Sequence, residues 1–144
     1  MNITTFKHLG RALLASLCLT VSNAADQPGS PKTLPPAQTV VRNVNAGEAQ
    51  KLIAEKQLVV LDIRTPEEFQ AGHIAGATNI NFRAPDFAKQ IAALPKGKTY
   101  LLHCASGNRS TQSLPVFKKL EFTALYHLDG GMKASEKADL PVTK

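Results

Sequence analysis

The chain has 144 residues, of which 43% are hydrophobic and 19% charged, and its formal net charge is +6. That length allows one packed domain with an N-terminal extension and excludes two full domains. Apart from Lys96/Lys98 and Lys118/Lys119 the cations are dispersed, with no aromatic residues between them, a pattern that argues against a nucleic-acid surface and for a small anionic ligand.

The first residues follow the three-part pattern of a secretory leader. Lys7 and Arg11 precede an apolar stretch of about ten residues over 12–21, and Ser22, Asn23 and Ala24 offer small residues for cleavage. The stretch is too short to span a bilayer as a helix. The expectation is therefore an exported, periplasmic protein cleaved after Ala24, with no stable membrane anchor afterwards. Cleavage removes Lys7 and Arg11, lowering the charge by two, and removes Cys18. Cys104 is then the sole cysteine, and an internal disulfide is impossible even in an oxidising compartment.

Residues 25–38 hold Pro28, Pro31, Pro35 and Pro36 with little to bury, and read as an extended tether. The remaining segment, 39–144, reads as one domain. Its pattern predicts strands over 40–44, 58–62, 77–80, 99–103 and 123–128, and helices over 46–55, 66–71, 86–93 and 110–120. Thr65, Pro66 and Glu68 mark one helix start through a capping box with Pro at the first helical position. Pro115 lies inside the last helix, where it removes a hydrogen bond at a cost of about 3 kcal/mol, so that helix is expected to bend. Gly130-Gly131 is read as a turn. Alternation of strands and helices implies an α/β domain with a parallel sheet covered by helices.

Ligands of such sheets bind beyond the carboxyl ends of the strands, where two residue groups fall. Asp62 and Arg64 follow one strand. Cys104, Ala105, Ser106, Gly107, Asn108 and Arg109 follow another and lead into a helix. A lone cysteine is more often a small core residue, but this one stands past the apolar run and is followed by small or polar residues. Backbone N–H groups and the helix start converge there on an anion, which would make the thiol acidic and nucleophilic. Asp62 and Arg64 are expected to pair with each other or brace the loop, and Glu68 to cap its helix. His103, one residue before Cys104 on a strand, should face the opposite side. Neither His103 nor His73 is assigned to catalysis, and no His or Cys cluster has metal-ligand spacing.

The runs Leu61-Asp62-Ile63-Arg64-Thr65-Pro66-Glu67-Glu68-Phe69, Gly72-His73-Ile74-Ala75-Gly76-Ala77 and Cys104-Ala105-Ser106-Gly107-Asn108-Arg109, in this order and spacing, resemble the rhodanese (thiosulfate sulfurtransferase) family, and within it the short periplasmic single-domain type. The resemblance covers most of 39–142. It implies a single domain with a central parallel five-stranded sheet flanked by helices. It further implies that Cys104 takes a sulfane sulfur from a small anionic donor such as thiosulfate, holds it as a persulfide without any cofactor, and passes it to cyanide or a thiol. The backbone of Ala105, Ser106, Gly107, Asn108 and Arg109 would cradle the sulfur, with the Arg109 side chain holding the donor or the loop and Gly107 allowing a backbone shape closed to other residues.

Departures from the family pattern bear on the donor and on packing. Ala105 stands where thiosulfate-using members often have Arg, which leaves the cradle less positive. Glu121 replaces a frequent helix-ending Gly, and Ser135 a frequent aromatic. A cysteine phosphatase or arsenate reductase is the nearest alternative, but those enzymes use a loop one residue longer to encircle a tetrahedral oxyanion. Here only Ala105, Ser106, Gly107 and Asn108 separate Cys104 from Arg109. A sulfur-relay or binding module served by a protein donor or acceptor is the third reading.

Overall fold

The computed structural model describes residues 38–55 and 58–144; the leader and nearly all of the tether expected before residue 39 lie outside them. The chain runs through β1 (Val40–Val44), α1 (Ala46–Ala54), β2 (Val59–Asp62), α2 (Pro66–Ala71), β3 (His73–Ile74) and β4 (Thr78–Asn79). It continues through α3 (Phe87–Ala92), β5 (Thr99–His103), α4 (Asn108–Lys119), β6 (Ala124–Leu128), α5 (Gly131–Lys137) and β7 (Val142–Thr143). Five strands form one sheet in the order β1-β6-β5-β2-β4, and every pairing in it is parallel.

The sheet separates two cores, as the two-residue alternation of strand side chains requires. On one face Leu61, Ile63, Tyr100, Leu102, Cys104 and Leu125 pack against Phe87 and Ile91 of α3 and Phe117 of α4. On the other, Val44, Val60, Leu101 and Leu128 pack against Ala46 and Ala49 of α1 and Met132 of α5. Leu101 and Leu102 of the central strand β5 are wholly out of water on opposite faces, and each such side chain stabilises the fold by about 2 kcal/mol. With β2 and β6 on either side, β5 is held along its length, and its carboxyl end is a fixed platform.

Local signals set most boundaries. Asn45 and Glu48 form a capping box at α1, and Thr65 and Glu68 form another at α2 with Pro at its start. α4 begins two residues earlier than its sequence pattern suggests, because Gly107 at φ +96° takes the N-cap position, and it continues through Pro115 to Lys119.

Three elements escaped the sequence reading. Gly130 and Gly131, read as a turn, lead directly into α5, both at positive φ. Two-residue strands β3 and β7 form a separate antiparallel pair that ties the C-terminus to the segment after α2. Such short pairs carry no periodicity to detect.

Candidate functional site

Cys104 follows β5 directly, and its loop turns at the carboxyl end of the sheet into α4. The sequence reading placed the thiol beyond the apolar run, open for chemistry. Instead Cys104 keeps only 1% of its surface and packs with Leu102 and Tyr100 in the core. Strand alternation is the reason: residue 104 falls on the same face as 102 and 100, beneath α4.

The sulfur nevertheless has polar neighbours. The Gly107 N–H donates to Sγ over 3.2 Å, and the Ser110 hydroxyl lies 3.5 Å away. Burial alone would push this thiol up, but hydrogen bonds from the Ser110 hydroxyl and from the Ser110, Ser106 and Gly107 amides outweigh it and hold the pKa below the ordinary thiol value. Fixed N–H dipoles in a water-poor site favour the anionic sulfur.

The inward-facing amides are oriented from outside the loop. The Met132 N–H donates to the Cys104 carbonyl (2.8 Å) and the Lys133 N–H to the Ala105 carbonyl (3.1 Å). In a planar trans peptide the C=O and the following N–H point in opposite directions, so carbonyls turned toward α5 turn the Ala105 and Ser106 amides away from it, toward the ring interior. Gly131 permits the contact: a Cβ there would lie 2.4 Å from the Cys104 carbonyl oxygen. α5 is therefore part of the site.

Arg109 was expected to hold either an anionic donor or the loop. Its guanidinium is engaged by Glu68, with Nη1 and Nη2 each 2.7 Å from a carboxylate oxygen. Glu68 also caps α2, accepting the Thr65 N–H at 3.0 Å. Arg109 holds the Glu68 carboxyl down to about 2, well below the usual carboxylate range. One carboxylate thus fixes the start of α2 and the start of α4 together.

Asp62 and Arg64 pair with each other, Arg64 Nε and Nη2 meeting Asp62 Oδ2 at 2.9 and 2.6 Å. Both are buried, and Nη2 also donates to the Gly72 carbonyl at 2.8 Å, so the pair braces the end of α2 and, among the described residues, makes no hydrogen bond to the loop over 105–109. His103 faces the opposite side of the sheet from Cys104, wholly buried, with Nδ1 3.3 Å from the Cys104 carbonyl and Nε2 3.7 Å from Asp62. Burial holds its pKa below the usual imidazole value. His73 stacks on Phe69 at 3.6 Å between ring centroids, and Nδ1 lies 3.0 Å from the Phe69 carbonyl. Asn108 and Gln112 interact across one turn at the exposed start of α4.

The structure thus brings Cys104, Ser106, Gly107 and Ser110 together, links Arg109 to Glu68, and leaves Asp62 and Arg64 in a separate buried pair. Sequence reasoning missed Ser110, the α5 amides, and His127, whose Nε2 sits 2.8 Å from Ser110 Oγ. His127 had a detectable signal: two residues after Leu125 in a strand, it must point toward the same core as Cys104.

Residues 45–138 match the family described as the Rhodanese-like domain. The chain is 35% identical over 86 residues to the probable adenylyltransferase/sulfurtransferase MoeZ of Mycobacterium tuberculosis, an alignment covering 60% of this chain and 22% of that protein. It is also 35% identical over 89 residues to the thiosulfate sulfurtransferase GlpE of Pseudomonas aeruginosa, covering 61% of this chain and 78% of the relative. Among solved structures, a rhodanese-related protein from Thermoplasma volcanium superposes with a TM-score of 0.64 at 29% identity, over 71% of this chain and 97% of that one.

Proposed function

Because the chain belongs to the rhodanese-like domain family, we propose that it is a sulfurtransferase that works through a persulfide on Cys104. The observation that supports this most directly is the thiol itself, drawn below its ordinary pKa by the Gly107 and Ser106 amides and by Ser110 despite its burial. The Cys104 thiolate attacks the outer sulfur of a donor such as thiosulfate. A new S–S bond forms, the donor's own S–S bond breaks, and sulfite leaves with its electron pair. A nucleophilic acceptor, cyanide or a thiolate, then takes the outer sulfur and returns Cys104 as thiolate. The amides that stabilise the thiolate also suit the persulfide anion, so neither half-reaction requires a new set of donors.

Burial of Cys104 adds a condition. A donor reaches the sulfur only when the loop over 105–109 yields, and the Glu68–Arg109 pair at the loop's end opposes that movement. With Ala105 supplying no cation and Arg109 engaged by Glu68, the loop favours a weakly charged donor, or sulfur delivered by a protein partner, over free thiosulfate. The same proposal puts this chemistry in the periplasm, a reading supported by the leader pattern over 1–24.

Mass measurement tests the reading. After incubation with thiosulfate or an organic persulfide the protein should gain one sulfur atom, cyanide should remove it as thiocyanate, and Cys104→Ser should gain nothing. Hydrolysis of phosphate esters with no sulfur uptake would overturn it.

A further inference from the structure

Next to the sulfur lies a buried polar chain that sulfur chemistry alone does not explain. Ser110 on α4 is fully buried and His127 on β6 is 5% exposed. Ser110 Oγ lies 3.5 Å from Cys104 Sγ, 2.8 Å from His127 Nε2 and 2.9 Å from the Gly107 carbonyl. A hydroxyl has one proton to donate. The Gly107 carbonyl does not depend on it, because the Thr111 N–H (3.0 Å) and the Thr111 hydroxyl (2.9 Å) already donate there.

The far side of the imidazole fixes its tautomer. Nδ1 lies 3.2 Å from Asn43 Oδ1 on β1 and 3.8 Å from the Asp129 carboxylate just past β6. Both partners are acceptors, so Nδ1 carries a proton. In the neutral ring Nε2 is then bare and accepts from Ser110. Sγ, Oγ and Nε2 thus stand in line as donor, carrier and acceptor, with Asn43 and Asp129 behind the ring as the groups that accommodate its positive form.

We infer that Ser110 and His127 form a proton relay that ionises Cys104. The S–H proton passes to Ser110 Oγ as the Ser110 proton passes to His127 Nε2. One S–H and one O–H bond break, one O–H and one N–H bond form, and nothing is oxidised or reduced. The products are a thiolate, a serine hydroxyl now turned toward that sulfur, and an imidazolium directed at Asn43 and Asp129. A proton that could not leave through the closed loop is thereby stored inside the domain. His127 acts through Ser110 and does not touch the sulfur. The inference deepens the proposed sulfur transfer and rests on Cys104 being its nucleophile, although ionisation can be observed without any transfer.

The test is nitrogen NMR of the His127 ring in the whole protein at neutral pH. In the wild type Nε2 should be protonated; in Cys104→Ser, whose hydroxyl does not ionise, it should be bare, and alkylating wild-type Cys104 with iodoacetamide should likewise discharge the ring. Ser110→Ala should leave the ring in the Cys104→Ser state and slow alkylation, below the thiol's titration midpoint, by roughly tenfold through loss of a hydrogen bond to an anion. An identical ring signature in wild type and Cys104→Ser overturns the relay, and that comparison does not depend on Ser110→Ala folding. Sulfur uptake with an unresponsive ring would sink the relay and leave sulfur transfer standing. A responsive ring without sulfur uptake would support the relay and sink the sulfur-transfer reading.

Discussion

Glu68 and Arg109 meet through two 2.7 Å contacts across 41 residues of sequence, joining the helix after β2 to the helix after β5. The carboxyl is depressed from 4.5 to about 2 chiefly by this partner. A carboxyl whose folded value lies below its unfolded one stabilises the fold in full above the unfolded value and loses that contribution as pH falls toward the folded one. Glu68→Gln keeps an acceptor for the Thr65 N–H and loses the charge. Since the carboxylate is about a third exposed, solvent screening limits the expected deficit at neutral pH to about 1 kcal/mol. Urea unfolding of both proteins across the window from 4.5 to about 2 should show the difference shrinking as Glu68 protonates. A difference constant over that window would mean that the pair contributes nothing through charge.

Asp62 and Arg64 differ from that pair in being almost fully buried, with side chains 0% and 7% exposed. Removing one member leaves the other charged in a site without water, which typically costs several kcal/mol, whereas replacing both with apolar residues of similar volume costs much less. Asp62→Asn is expected to destabilise the domain by about 3 kcal/mol. Because the pair braces Gly72 and makes no bond to the sulfur loop, the sulfur uptake of each molecule that remains folded should not change. Denaturation midpoints and mass-detected uptake on the same sample separate these effects, and an equal stability with lost uptake would move Asp62 into the site.

What could be read in the sequence was whatever depends on local pattern. The boundaries of β1, α2 and β5 follow from a capping box, a proline and apolar runs, and they coincide with the structure. The position of Cys104 after β5 was legible for the same reason. Contacts between residues far apart in the chain were not. Glu68 is an ordinary cap until α4 brings Arg109 to it, and His127 is an ordinary strand residue until β6 lies beside β5 and under Ser110. Gly130-Gly131 looked like a turn because nothing local shows that the Cys104 carbonyl lies against it.

Glu121 ends α4 in the left-handed region at φ +59°, where its N–H meets the Lys118 carbonyl and the Phe122 N–H meets the Phe117 carbonyl. This is the Schellman arrangement, which favours Gly at that position. A side chain there costs about 1–2 kcal/mol, partly offset by the greater freedom that Gly has in the unfolded chain. Glu121→Gly should therefore stabilise the domain by about 0.5–1 kcal/mol, read as a higher urea midpoint with unchanged slope. A lower midpoint would show that the exposed Glu121 side chain makes contacts that matter more than its backbone strain.

The position of Gly131 gives the most direct link between packing and thiol chemistry. A methyl group there meets the Cys104 carbonyl oxygen at 2.4 Å and the carbonyl carbons of Cys104 and Ala105 at 3.0 Å. These are backbone atoms, so neither can step aside without moving the loop, and the positive φ of +55° adds strain of its own. Gly131→Ala should cost about 2 kcal/mol or more, as overpacking against fixed structure does. Its second effect is chemical: displaced carbonyls no longer hold the Met132 and Lys133 bonds, the Ser106 amide that follows the Ala105 carbonyl loses its aim at Sγ, and the thiol titrates higher. Alkylation rate against pH should shift upward even in protein that remains folded. A stability loss with an unmoved thiol titration would show that the loop orients its amides without help from α5.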